Sequence, residues 1–227
     1  MSSPVNSKIK KLLEIPQYEQ RSHEWFEQRK DKITSSDAGS VLGLNQYDTY
    51  ESVLFKKCGV KTEFVGNEAT QWGQKYEDEA IEKYCRVFNK KNFNFGLISY
   101  TDVHPDTKCK WLAGSPDGIA EDLDYPNEYE PILLEVKCPF KRKIITNKCP
   151  AYYYPQVQLN LFITGLTIGD YIEYDPRKDE LNVVRIFKDL NWLETNLPKL
   201  EKFWMDVEHY RGIGIDKHPK FKREISI

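Results

Sequence analysis

No stretch of the 227-residue sequence approaches 18 consecutive apolar residues, which excludes a transmembrane helix. There is no excess of one charge either. The 33 Lys and Arg face 35 Asp and Glu, a net charge of -2, so binding to polyanions by bulk charge is excluded and any nucleic-acid role must come from local patches. The N-terminal MSSPVNSKIKKLLEI lacks the long apolar stretch of a secretory signal. Five scattered cysteines (Cys58, Cys85, Cys109, Cys138, Cys149) include no CxxC, and the histidines His23, His104, His209 and His218 never pair at ligand spacing. A zinc or iron–sulfur site is therefore not expected, and buried free thiols in a reducing intracellular compartment are the simpler reading. No internal repeat and no low-complexity linker interrupts the chain.

What is present is ample core material. Hydrophobic residues make up 40% and charged residues 30% of the sequence, and its 14 Tyr, 11 Phe and 5 Trp argue against disorder. The length favours a single domain over residues 1–227. Its first ninety or so residues read mostly as helix. SHEWFEQRKDK opens on Ser22 as an N-cap, SSDAGSVLG closes on Gly43, and a longer helical pattern runs from about Asn67 to Phe88. From about residue 91 to 190 the chain turns strand-like, in FNFGLISYTD, KWLAGS, DGIAEDL, PILLEVKCP, IGDYIEYD and ELNVVRIF. A helical interruption falls near Tyr152 to Thr164, and a final helix covers about Trp192 to Tyr210 before a C-terminal tail. The pattern predicts an α/β or α+β fold with a central mixed or mostly antiparallel sheet.

Charge is segregated along this chain. Asp117 to Glu135 carries seven acids and no Lys or Arg, whereas Lys137 to Gly169 carries five basic residues and no acid. Two readings of this contrast stay open: solvated charge on either side of a turn, or metal-binding carboxylates beside a phosphate-binding surface. Glu77 is a second anomaly. At about 100° per residue it falls in the middle of an arc formed by Gly73, Ala80, Ile81, Tyr84 and Phe88, and a carboxylate there is costly to bury unless paired or bound to a metal. Glu135 and Lys137 are two apart in a β-rich run and so project from one face of a strand. The 17 residues between Asp117 and Glu135 suffice for a hairpin that brings both carboxylates together. Two carboxylates and an ammonium in one pocket are the ingredients of a Mg²⁺-dependent phosphodiester hydrolase. The acids would hold hard cations, and the lysine would orient or deprotonate water or stabilise charge on phosphate.

PD-x17-ExK resembles the PD-(D/E)xK nuclease superfamily. Four ordered segments resemble its lambda-exonuclease-like, YqaJ-type viral recombinase branch: WFEQRKDKITSSD, WGQKYEDEA, GSPDG with LLEVKCPF, and YYYPQVQLNLFITG. The resemblance implies a restriction-endonuclease-like domain, a central mixed sheet flanked by helices. It implies Asp117, Glu135 and the Val136 carbonyl as metal ligands with Glu77 near the metals, Lys137 as the catalytic lysine, and Gln156 at the nucleophile or scissile phosphate. Arg29 and Ser36 are implied as binders of a terminal 5′-phosphate, with Ser115 as a further phosphate contact. The implied cofactor is Mg²⁺, with Mn²⁺ as a substitute and two ions per site. The implied activity is 5′-to-3′ degradation of one strand from double-stranded DNA ends, which exposes a 3′ strand for recombination or repair. A single-strand-annealing protein and a ring-shaped homotrimer are the implied partners, a membrane is not, and a phage-bearing bacterium or a virus-infected cell is the implied setting.

The chain departs from the family in EDLDYPNEYEP, which is longer than expected between the two metal carboxylates and either lengthens a surface hairpin or crowds the rim of a DNA channel. Nothing after Gly165 matches. The run Tyr152–Tyr153–Tyr154 is read as packing before base stacking, and HPKFKRE as a solvated tail. Three activities compete. An endonuclease or RNA-processing nuclease would share the chemistry, but Arg29 and Ser36 favour an enzyme that starts at termini. An inactive end-binding protein would not need the full set of Glu77, Asp117, Glu135, Lys137 and Gln156.

Overall fold

Strand β6 (Ile132–Lys137) organises the molecule, because its alternate side chains face two different cores. In the computed structural model, which describes residues 5–60 and 66–221, β6 lies at the centre of a five-stranded sheet. The other strands are β2 (Lys90–Phe93), β5 (Gly118–Asp122), β7 (Ile168–Asp175) and β8 (Glu180–Phe187), in the order β2-β5-β6-β7-β8. Only the β6–β7 pair is parallel; the other three pairs are antiparallel. A parallel pair needs a crossover, and helix α7 (Tyr154–Thr164) supplies it. Pro155 in its first turn and Gly165 just past its end, at φ 71°, fix its two boundaries.

On one face of the sheet, Ile132, Leu134 and Val136 pack with Ala120, Ile172 and Tyr174 against Ala80, Ile81 and Tyr84 of helix α5 (Glu68–Phe88). Asn67 caps α5, its side chain accepting from Thr70 N at 2.9 Å, and Asn89 closes it in the left-handed conformation. On the other face, Leu133 and Tyr171 join a larger core with Val157 and Leu161 of α7. That core also takes in Leu54 of α4 (Tyr50–Lys57), and Leu200 and Phe203 of α8 (Leu190–Ile213).

A second, three-stranded sheet was not expected. Strand β4 (Leu112–Gly114) pairs parallel to β1 (Ile33–Thr34) and antiparallel to β3 (Ile98–Ser99). So the helical N-terminal part carries one short strand, between α2 (His23–Lys30) and α3 (Ala38–Val41). FNFGLISYTD is not one strand either. Its SYTD forms a capping box, with Ser99 N donating to Asp102 Oδ2 at 2.9 Å, and starts the single turn α6 (Tyr100–Val103). Phe88 leaves the apolar arc and is 44% exposed.

The acidic insertion contacts the N-terminal helix α1 (Ser7–Leu13). The α1 cap Asn6 donates its main-chain N–H to buried Glu121 and its amide to Pro126 O at 2.6 Å, and Lys8 pairs with Glu130 at 2.6 Å. Of the HPKFKRE tail, Lys220 pairs with Glu51, while residues 222–224 lie outside the described residues.

Candidate active site

The β5–β6 pairing sets the first two groups. Gly118 stands opposite Leu134, Asp117 N donates to Leu134 O at 3.2 Å, and Asp117 Oδ2 accepts from Val136 N at 2.6 Å. Asp117 is thus latched to the residue between Glu135 and Lys137. Those two share one face of β6, as their spacing predicts, and the Lys137 ammonium donates to Glu135 Oε1. The Glu135 side chain is fully buried and that of Lys137 is 24% exposed. Glu77 projects from α5 toward the same end of the sheet, where Arg21 Nη2 lies 3.4 Å from its Oε2.

These acids outnumber the cations that hold them. Burial raises the pKa of Glu77 to about 7, with Asp117 adding to the effect and Arg21 and Lys137 opposing it. Burial raises Glu135 to about 8 although Lys137 pulls it down, and Asp117 is also raised by burial, against Lys137 and the Val136 N–H. Lys137 loses by burial, but Glu135 and Asp117 together hold it above the ordinary lysine range. Lys137 and the half-exposed Arg21 leave three carboxylates short of positive charge, so protons or a bound cation supply the rest. The donors are hard oxygens of the kind Mg²⁺ selects. Among the described residues no three Asp, Glu, His or Cys side chains already encircle a common point. The side chains whose chemistry fits an ion are Asp117 and Glu135, with Glu77 at the margin.

Two clefts meet at Glu77 and Arg21. One, of about 1160 Å³, is lined by Lys137, Phe140, Arg142, Tyr152 and Tyr153. The other, of about 610 Å³, reaches Asp117 past Gln20 and Phe95. Tyr153 stacks on Tyr171 and lies under the Lys137 ammonium, 5.3 Å from ring centroid to nitrogen. Tyr154 donates to Asp189 at 3.2 Å and meets Trp192 edge-on. The tyrosine run is therefore largely packed, with Tyr152 and Tyr153 bordering the cleft.

A second cluster stands at α2. Arg29 Nη2 donates to Thr34 Oγ1 at 3.1 Å and to Ser36 Oγ at 3.0 Å, and the guanidinium lies over the Trp25 ring, 4.1 Å from its centroid. Trp25 Nε1 in turn donates to Ser115 Oγ at 3.1 Å, so Trp25 links Arg29 to Ser115, two residues from Asp117. Burial lowers the Arg29 pKa and Asp37 opposes that. Asp37 has its own partner in buried Lys57, at 2.9 Å. Arg29 therefore bonds neutral hydroxyls and shares the one Asp37 carboxylate with Lys57.

A YqaJ-like viral recombinase domain model matches residues 24–167. The chain belongs to that family. Among curated relatives, an uncharacterized protein of Acanthamoeba polyphaga mimivirus is 31% identical over 188 residues, covering 77% of this chain and 33% of its own length. A protein of African swine fever virus is 29% identical over 180 residues, covering 68% of this chain and 49% of its own. The chain thus spans half or less of the length of these relatives. An alkaline exonuclease from Laribacter hongkongensis has the same fold, with a TM-score of 0.69 at 22% identity over 85% of this chain and 95% of that one. A phage-related exonuclease from Haemophilus somnus aligns with a TM-score of 0.54 at 14% identity, over 82% of this chain and 95% of that one.

The sequence pointed to Gln156 on α7 and missed Asn160. Gln156 is half-buried on α7, and Asn160, one turn on and on the same helical face, donates Nδ2 to Glu135 Oε2 at 3.2 Å. A polar residue inside the apolar run Leu-Asn-Leu was the available signal. The second glutamine, Gln158, faces away and bridges Phe187 O and Asp189 N. Arg21 gave no signal, since its reach to Glu77 depends on the loop before α2.

Proposed function

We propose that this chain is a Mg²⁺-dependent DNA exonuclease that removes one strand of a duplex from its 5′ end and leaves a 3′ strand for recombination or repair. The observation that carries this reading is the link from the acid cluster through Ser115 and Trp25 to Arg29. The acid cluster is coupled to an arginine that bonds neutral hydroxyls and shares its one nearby carboxylate with Lys57, an arrangement suited to an anion. The family and the exonuclease fold of its structural neighbours support the same class.

Asp117 and Glu135, with the Val136 carbonyl and Glu77, would hold one or two Mg²⁺ ions, which supply Lewis-acid activation of water and neutralise phosphate charge. Mn²⁺ is the expected substitute. Lys137, tied to Glu135 and backed by Tyr153, presents its ammonium to the phosphate and stabilises the charge that develops there. Arg29 and Ser36 take the terminal 5′-phosphate through a guanidinium fork and a hydroxyl, and Ser115 adds a contact between the end site and the metal site. Gln156, on α7, would contact the nucleophile or the scissile phosphate. The substrate is a double-stranded DNA end, a single-strand-annealing protein is the natural recipient of the product, and a ring-shaped homotrimer would hold the duplex during repeated cuts. The viral relatives are consistent with a reaction in an infected cell.

The test compares 5′-phosphorylated, 5′-hydroxyl and closed-circular duplexes with Mg²⁺ and scores which strand disappears. Loss of the 5′-ended strand, fastest from the phosphorylated end and absent from the circle, is expected. Cutting of the circle would replace this reading with an endonuclease.

A further inference from the structure

The side chain of Asn160 is placed at a cost that packing does not explain. It is fully buried in the middle of α7, between Leu159 and Leu161. Asparagine is a poor helix-interior residue, because its amide competes for the backbone. One end of the amide, Nδ2, donates to Glu135 Oε2 at 3.2 Å. The other end, Oδ1, is buried without a hydrogen-bond partner. It is pressed against the backbone of β4, where a Cβ built on Gly114 would stand 2.3 Å from Oδ1. The amide is boxed between Gly114 and Glu135. Turning it over would aim the carbonyl at a carboxylate, so the ionised form of Glu135, the form that would hold a cation, fixes which end points where.

An orphaned buried acceptor is costly, and leucine, of similar shape and higher helix propensity, would avoid that cost. It would also leave the buried Glu135 Oε2 without its donor. The helix thus keeps an amide whose one satisfied end is the bond to Glu135.

We infer that Asn160 is a positioning residue that sets the orientation of the Glu135 carboxylate for the metal site. This rests on reading the acid cluster as a metal-binding centre. The terminal torsion of a glutamate is broad and soft, and a single bond from Lys137 to Oε1 leaves the carboxylate plane free to swing about that contact. A second donor on Oε2 removes the swing, so the lone pairs left for a cation point in set directions. Groups that orient a ligand in this way typically change metal affinity or activity about 10–100-fold when removed.

The experiment measures Mn²⁺ binding by electron paramagnetic resonance and thermal melting in EDTA for the full chain and for Asn160→Leu. The expected result is Mn²⁺ binding weakened about tenfold or more in a variant that still melts cooperatively in EDTA. A merely structural asparagine would give wild-type Mn²⁺ affinity whatever the melting temperature, which would overturn the inference. If the leucine variant does not fold, Asn160→Ala is measured below its own melting temperature by the same criterion. Failure of both variants to fold would assign Asn160 to folding and also overturn it. A wild-type chain that binds no Mn²⁺ would overturn the metal-site reading before any variant is compared.

Discussion

At the scale of single residues, the proposed function divides the site into groups that would bind a cation and groups that would handle the substrate. Lys137→Ala and Asp117→Ala are each expected to abolish cleavage, by about a thousandfold or more, as loss of a charge-stabilising group does. They should differ in what survives. The lysine variant keeps its carboxylates and should retain a metal-dependent complex with DNA, whereas the aspartate variant also loses the latch to Val136 N and should not. Gel shifts with and without Mg²⁺ distinguish them, and hydrolysis near the wild-type rate by either variant would remove the two-carboxylate mechanism. Arg29→Ala tests the end site. A charge-assisted contact to a monoester phosphate contributes about 1.5–3 kcal/mol, so the preference for 5′-phosphate over 5′-hydroxyl ends should fall about tenfold or more. Lysine should rescue it only partly, since it lacks the fork. An unchanged rate ratio in Arg29→Ala would place the phosphate pocket elsewhere. The residues read from sequence were those with a local signature: Glu135 and Lys137 by strand alternation, Asp117 by the turn before it, Glu77 by its position on an apolar arc. Asn160 and Arg21 act across elements far apart in sequence, and no local pattern carries that.

At the scale of elements, strands were legible where alternation or a long apolar run was uninterrupted. IGDYIEYD and ELNVVRIF are the strands β7 and β8, residue for residue. The three-stranded sheet was not legible, because two of its strands have two residues each and owe their pairing to tertiary contact. The basic segment after β6 is also more structured than its composition suggests. Arg142 pairs with fully buried Glu173, which also accepts from Tyr171 at 2.8 Å. Asn147 N bonds Asn182 Oδ1 at 2.9 Å, and Arg177 bonds Phe140 O at 2.9 Å. This wall of the larger cleft is thereby tied to β7 and β8. Arg142→Ala strands a buried carboxylate and should lower stability by about 2–3 kcal/mol in urea unfolding. Adding Glu173→Gln removes the stranded charge and should return part of that loss. If the two losses simply add, the pair is not coupled.

At the scale of the whole molecule, the active centre lies where the two cores separated by β6 come together, with Glu77 from one side and Asn160 from the other. Carboxylates buried there make the metal-free fold sensitive to pH in a definite direction. Glu77 and Glu135 bind protons in the folded chain up to about 7 and 8, while the unfolded chain releases them near their ordinary value of 4.5. Between those limits the folded state holds more protons, so its stability falls as pH rises. A cation replaces those protons and removes the dependence. The melting-temperature gain produced by a fixed Mg²⁺ concentration over EDTA should therefore be small at pH 5.5 and should grow toward pH 8. Each proton displaced is worth about 1.4 kcal/mol per pH unit, or roughly 4 °C for a chain of this size. Glu135→Gln should flatten the pH dependence in EDTA and shrink the Mg²⁺ gain together, because both arise from the same buried carboxylate. A Mg²⁺ gain that is equal at the two pH values, or that survives undiminished in Glu135→Gln, would mean that the cation binds elsewhere than between the two cores.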